Sequence, residues 1–191
     1  MKKLLTALCL TSIASFAQAD WQLNLSDSDF NFASIKKNNA YETHTFKEFR
    51  GSVDGSGKAV LTLNLASVAT GIDIRDQRMK TMLFDTQKFP AAEYQLQVNA
   101  KQLDSMKAGE RLQLEADGNL SLFGTDKKQT AALNIYKLSD QRLLVSTAHP
   151  MVINASDYGL DKGVEALREI AGLPVISLSV PVTFNLVFDK K

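Results

Sequence analysis

The residues able to do acid–base, nucleophilic or metal chemistry are few and badly spaced. The chain of 191 residues holds two histidines, His44 and His149, and one cysteine, Cys9. A zinc site needs three or four nitrogen, sulfur or carboxylate ligands, commonly with two of them close together on one element. Neither histidine has such a neighbour, so no metal site is expected. His149 shares its alternation class with Leu143, Val145, Met151 and Ile153, and it reads as a hydrogen-bonded structural histidine of the inward row. Ser146 is three residues before His149, which puts the two on opposite faces of a strand. No G-x-S-x-G turn is present to activate a serine. Paired carboxylates occur at Asp27/Asp29, in a turn, and at Asp73/Asp76, beside Arg75 and Arg78. Local ion pairing and capping account for the second pair. Gly55-x-Gly57 belongs to the hairpin run Asp54-Gly-Ser-Gly57 rather than to a phosphate cradle. Asn24-Leu-Ser26 and Asn154-Ala-Ser156 fit the short glycosylation sequon, which arises often by chance. The expectation is a protein without a catalytic constellation and without a cofactor, and therefore not an enzyme.

The elements that must position any site are strands. Residues 1–19 read as a secretory signal peptide. Lys2 and Lys3 form the basic region, Leu4 to Phe16 the apolar one, and Ala17-Gln18-Ala19 the small-residue cleavage site. Leu8 ahead of Cys9 does not suit lipid attachment. Removal of the leader takes the only cysteine with it, leaving a disulfide-free domain over 20–191 and a periplasmic location. It also turns 22 basic against 21 acidic residues into 20 against 21. That balance gives no electrostatic case for nucleic acid.

Beyond the leader the chain alternates apolar and polar residues. Strands are expected over Trp21–Leu25, from Phe30 to Lys36, over Tyr41–Val53 and Lys58–Leu65, and around Ala92–Val98. Further ones follow over Arg111–Phe123, Thr130–Leu138, Arg142–Ile153 and Ile176–Phe188. Phe46 and Phe49, three apart, share a face only if a bulge separates them. Pro181 suits an edge or a bulge better than a central position. Leu103–Glu110 reads as a polar connector. Two segments break the pattern: the charged, amphipathic crossover Ala66–Pro90 and a short helix over Asp161–Ala171, stopped by Gly172-Leu-Pro174. There is no βαβ rhythm. The fold expected is all-β, a single antiparallel up-and-down barrel of about eight strands with a helical crossover.

One face of those strands is apolar: Phe30, Phe32, Leu61, Leu63, Leu65, Tyr94, Leu96, Leu112, Leu114, Leu120, Leu122 and the row Ile176 to Phe188, including Val180, Val182, Phe184 and Leu186. An eight-stranded barrel either fills with such side chains or holds one small ligand. Composition does not choose between the two. An enzyme acting on lipid would need polar groups in the lumen, where the inward row offers few beyond His149 and Tyr94.

The order and spacing of several short motifs resemble the YceI-like family of bacterial periplasmic lipid- and polyisoprenoid-binding proteins. Phe46-x-x-Phe49-x-Gly51 precedes a hairpin, and Ala66-Ser-Val-x-Thr70-Gly71 follows a strand. Arg75-Asp76, Phe84-Asp85, Lys88-Phe89-Pro90 and Leu120-Ser-Leu-Phe-Gly124-Thr-x-Lys127 come next, in that order. The resemblance implies a lipocalin-like barrel enclosing an elongated apolar chain such as an isoprenoid quinone precursor, a fatty amide or a related lipid. On this reading Met79, Met82, Leu83 and Phe84 touch the lipid or close its entrance, and Arg75 and Asp76 fasten the crossover. Phe49, Gly51, Thr70, Gly71, Asp85, Phe89, Pro90 and Gly124 are structural marks. The stretches Ser34–Lys37 and Thr43–Thr45 and the helix before the last strand depart from simpler members and are expected at the barrel rim. A filled barrel that docks a membrane redox or stress-response partner is the competing reading. Transient contact with a membrane or membrane protein, and a homodimer, stay open as partners.

Overall fold

In a computed structural model the described residues are 19–191. The expected signal peptide therefore lies outside the described residues, apart from Ala19. The strands are β1 (Ala19–Leu23), β2 (Asp29–Lys36), β3 (Ala40–Phe46), β4 (Phe49–Asp54), β5 (Lys58–Asn64) and β6 (Val68–Ala69). They continue as β7 (Ala91–Gln97), β8 (Arg111–Leu122), β9 (Thr125–Ser139), β10 (Arg142–Thr147), β11 (Met151–Asn154) and β12 (Ser179–Lys190). Every pairing is antiparallel. The path runs β1-β4-β5-β7-β8-β9-β10-β12, and β12 pairs back to β1, so the barrel closes on eight strands.

The remaining strands lengthen this barrel at one end. β2 continues β1 along β12, β3 continues β4 along β2, β6 continues β5 along β3, and β11 continues β10 along β12. Four of the eight staves are thus broken in the middle. The break at Lys47–Glu48 is what lets Phe46 and Phe49, three apart, both face inward and become buried. Where one bulge was expected within a single strand, the chain makes two strands. Pro181 sits opposite Val152 of β11, one residue beyond the last β2 pair, Val182–Phe32. Its missing N–H falls where the ladder on that side has ended.

The helices cap the two ends differently. Between β6 and β7 the crossover forms α1 (Asp73–Arg78), which runs on through a wider, π-type turn over Met79–Leu83. Between β11 and β12 lies α3 (Asp161–Ile170), packed on that turn. Both segments stand at the end where the broken staves finish. The opposite end carries α2 (Ala100–Ser105), in a stretch expected to be a plain connector. Asn99 caps it by accepting from the Gln102 amide, and Leu103 and Met106 are buried. Two apolar residues amid Lys, Asp and Glu are too few to show a helical period.

The α2 end is packed solid. Trp21 is buried there, with the Lys137 ammonium 4.7 Å and the Lys190 ammonium 5.3 Å from its ring centre. Ile135, Leu143, Leu186 and Phe188 complete this layer, leaving a void of only about 70 Å³.

Candidate ligand cavity

Toward the α1/α3 end the lumen opens into a cavity of about 460 Å³. The barrel is not filled. Two features of the sequence create the space. Small residues, Ala92 and Ala155, are buried in the lining where larger ones would take up the space. The crossover and α3 also roof the end where the broken staves finish.

The floor is Tyr94, which with Leu61 and Phe184 borders both the large cavity and the small void. Its hydroxyl donates to the Gln129 carbonyl at 2.7 Å. Burial, reinforced by the charges of Asp117 and Tyr158, raises its pKa to about 12, so it stays a neutral donor. The ring lies over Gly118, where a Cβ would come within 2.4 Å of Tyr94 Cζ. Only glycine leaves room for the floor to lie flat.

The wall is apolar. Phe30, Phe32, Leu61, Leu63, Leu65, Leu120, Leu122, Val180, Val182 and Phe184, taken from the strand alternation, all line it. A cluster of rings holds one side, with Phe30 6.1 Å from Phe46 and Phe46 5.9 Å from Phe84. Leu96 and Leu186 share the inward face but lie below Tyr94, against the small void. Leu112 and Leu114 pack against the core and border neither space. Alternation identifies the face of a strand, not the height along the barrel axis.

The roof comes from the crossover and α3. Met79, Leu83 and Phe84 are buried and line the cavity, whereas Met82 is exposed and does not. Val164, Leu167 and Ile170 of α3 line it from the other side. Gly163 makes the close approach possible: a Cβ there would be 2.8 Å from Leu83 Cα and from the Met82 carbonyl oxygen. Arg75 ties the roof to the wall. Its guanidinium donates to Glu42 of β3 at 2.6 Å, to the Thr70 hydroxyl at 2.7 Å and to the Thr70 carbonyl at 2.6 Å. Asp76 accepts from the Thr70 amide at 2.9 Å and from its hydroxyl at 2.5 Å. Glu42 also meets Lys36 at 2.6 Å. Lys36 first, then Arg75, hold the Glu42 carboxyl below the usual range against the opposing cost of burial.

His149 does not face inward as expected. His149 is exposed in the bend Ala148–Pro150 between β10 and β11, with its Nδ1 3.4 Å from the Pro150 carbonyl. The bend breaks the alternation on which its inward place was expected. His44 is the buried one, 5% exposed, and it lines the cavity with its ring 5.3 Å from that of Phe32. Its Nε2 is 2.9 Å from the Ser34 hydroxyl, and its Nδ1 is buried with no partner. Burial first, then the charge of Arg75, lowers its pKa. Lys36, Arg75, Arg78 and Ser177 also border the cavity, so the lumen has more polar groups than the inward row suggested. The signal was present as Phe30-x-Phe32-x-Ser34-x-Lys36 and Glu42-x-His44-x-Phe46, two alternating rows that turn polar toward the rim. Of the departing stretches, Ser34–Lys37 runs to the end of β2, whereas Thr43–Thr45 lies within β3 opposite Asn31–Ala33.

Several of the other motif residues make packing and backbone contacts. Gly51 packs under Leu23 and Phe188, where a Cβ would touch both at 3.2–3.3 Å. Gly124, at φ 73°, lies against Phe89, whose ring is 4.5 Å from that of Phe123. The Phe89 amide donates to the Asp85 carbonyl, and the Leu65 amide to the Pro90 carbonyl, which ties the end of the crossover to the end of β5.

A closed antiparallel barrel of eight strands, with a packed floor, an apolar chamber and a helical roof, defines a lipocalin-like cavity protein. The particular family follows from the sequence: the model of the YceI-like domain matches residues 21–188, and the chain belongs to that family. A polyisoprenoid-binding domain from Saccharophagus degradans, implicated in plant cell wall breakdown, is 35% identical. The match covers 91% of this chain and 100% of that one, with a TM-score of 0.89. BcnA of Burkholderia cenocepacia matches at 19% identity and a TM-score of 0.67, over 86% of this chain and 98% of its own. The Campylobacter jejuni YceI protein matches at 16% and 0.55, over 78% and 84%. These last two share the fold. No curated protein matches the chain.

Proposed function

We propose that the protein is a non-catalytic carrier that sequesters an elongated apolar ligand, an isoprenoid or fatty chain, in the barrel lumen. The observation that carries this is the open 460 Å³ chamber of almost wholly apolar lining beneath a tied-down roof. Its volume falls within the roughly 300–1,000 Å³ usual for small-molecule sites. The likeness to a polyisoprenoid-binding domain supports the ligand class. Burial of each methylene gains about 0.8 kcal/mol. A chain of the roughly 18 carbons that fit in the chamber would therefore gain about 14 kcal/mol gross, below the practical affinity ceiling of about 18–21 kcal/mol. Lost ligand freedom offsets much of that gain, so selection by the wall is by length and girth.

The carrier works in the periplasm after loss of the leader. Ile72, Ile74 and Ile170 line the cavity and are also 49%, 58% and 50% exposed. An apolar collar around an entrance suits brief contact with a membrane during loading and release. Native mass spectrometry of gently purified protein tests the reading. The expected spectrum shows an added mass that solvent extracts as a lipid. A protein that carries no lipid and takes up neither a fatty acid nor an isoprenoid alcohol defeats it.

A further inference from the structure

We propose that the cavity mouth is a head-group site for an anionic single-chain amphiphile, a lipid ending in a carboxylate or phosphate, with His44 as its inner contact. This rests on the carrier reading and adds a polar end to it.

The two inward rows of β2 and β3 change character together. Phe32 faces His44 across the strands, Ser34 faces Glu42, and Lys36 follows. A ligand entering from the rim would therefore pass cations, then a serine–histidine pair, then phenylalanine rings. The charged residues lining the chamber, Lys36, Arg75 and Arg78, are all basic. Two acids stand behind them. Glu42 divides its oxygens between Lys36 and Arg75, and Asp76 is engaged by Thr70. Arg78 has no ion-pair partner among the described residues. The set of three cations and two acids is left with one surplus positive charge, and that charge is on the unpaired side chain.

His44 supplies the directional element. A neutral imidazole has one N–H and one lone pair. When the Ser34 hydroxyl donates to Nε2, the proton resides on Nδ1, the atom that is buried and without a partner. Buried polar atoms are nearly always satisfied, and because His44 lines the chamber a small turn of its ring brings Nδ1 to a ligand atom. With Lys36, Arg75 and Arg78 lining the same chamber, that atom is an anionic oxygen. Hydrogen bonds to such an oxygen are about twice as strong as neutral ones. The roof helix and the wall thus share the head group, because Arg75 and Arg78 come from α1 while Ser34 and His44 come from the barrel.

The test uses the delipidated full mature chain and four probes with the same dodecyl tail: dodecanoate, dodecyl phosphate, dodecanol and dodecyltrimethylammonium. Affinities come from calorimetry at pH 8, with inorganic phosphate as a tail-less control. Both anions are expected to bind about tenfold tighter than the alcohol, the cation weakest, and phosphate alone not measurably. His44→Phe and Arg78→Gln should each collapse the ratio of anion to alcohol. Both variants are checked for a native circular-dichroism spectrum, and Arg78→Gln, at a half-exposed position, retains the fold even where His44→Phe does not. Equal binding of the four heads overturns the head-group site and leaves the carrier. Phosphate binding as tightly as dodecyl phosphate also overturns it, in favour of a free-anion site. If none of the tailed probes binds, the carrier reading fails and takes this proposal with it.

Discussion

Replacing Tyr94 by alanine removes the floor of the chamber and should lengthen the chains it accepts. An engineered apolar cavity of 150 Å³ admits benzene, which sets about 25 Å³ per carbon. By that scale the 460 Å³ chamber holds roughly 18 carbons. Tyr94→Ala frees the ring and hydroxyl and joins the chamber to the 70 Å³ void below. Together these add space for roughly ten more carbons. The cost is in stability: deleting a large buried side chain costs about 3–5 kcal/mol, here with the Gln129 carbonyl left without its donor. A domain with about 5–15 kcal/mol of stability can survive that loss. The assay is a series of straight-chain fatty acids titrated against wild type and variant, with urea unfolding as the stability control. Affinity should climb by at most about fourfold per carbon and level off near 18 carbons in wild type, but roughly ten later in Tyr94→Ala. The converse variant, Ala92→Phe, adds a ring at the buried wall and should move the plateau roughly six carbons earlier. A plateau at the same length in folded protein of all three forms would refute the chamber as the binding space.

Three further outcomes follow from the contacts at the roof. Gly163→Ala pits a gain of about 1 kcal/mol in helix propensity against a Cβ placed 2.8 Å from two backbone atoms of Met82 and Leu83 that cannot easily retreat. A net loss of about 1–2 kcal/mol and faster ligand release in stopped flow are expected; a more stable protein would show that α3 and the crossover are loosely packed. Glu42→Gln should lose no more than about 1 kcal/mol at pH 7, since the pair with Lys36 and Arg75 is partly exposed. The lowered Glu42 pKa makes its contribution complete above the ordinary carboxylate value of 4.5 and lost as pH falls through the folded value. Urea unfolding curves of variant and wild type should therefore converge in acid, and a constant gap would contradict the ion pair. For His44 the sign is opposite in chemistry but alike in direction: the unfolded chain takes up a proton near pH 6.5, and the folded one, facing Arg75, Lys36, Glu42 and Asp76, only at lower pH. Stability should fall as pH drops from about 6.5 to that lower value, and His44→Gln should flatten this slope.

The strand pattern was legible because an antiparallel barrel has one wet face and one dry face, and alternation records that directly. The rows Leu61-x-Leu63 and Val180-x-Val182-x-Phe184 point where their period says they should. The glycine and proline marks were legible as well, since a positive φ at Gly124 and the missing N–H of Pro181 are local facts. The family motifs carried the topology, and the matches over residues 21–188 agree with it.

Four features were not legible. α2 has too few apolar residues to show a helical period. The splitting of Tyr41–Val53 and Arg142–Ile153 into two strands each depends on bends that change the inward phase, which is why His149 came out exposed. Leu96 and Leu186 are identical in pattern to Leu63 and Val182, yet they end below the floor, because height along the barrel axis is set by strand tilt and register. The role of His44 needed both β2 and β3 in register, with the roof helix bringing Arg75 and Arg78 over them.

By itself the sequence determined the chemistry available: a barrel's worth of alternating apolar residues, two histidines without metal-binding spacing, and a charged crossover. The tertiary structure decided that part of the barrel stays empty. Emptiness is a difference between the volume the strands enclose and the volume their side chains fill, and no local run of residues contains it. The positions of Tyr94 over Gly118, and of α3 against the crossover at Gly163, set that difference.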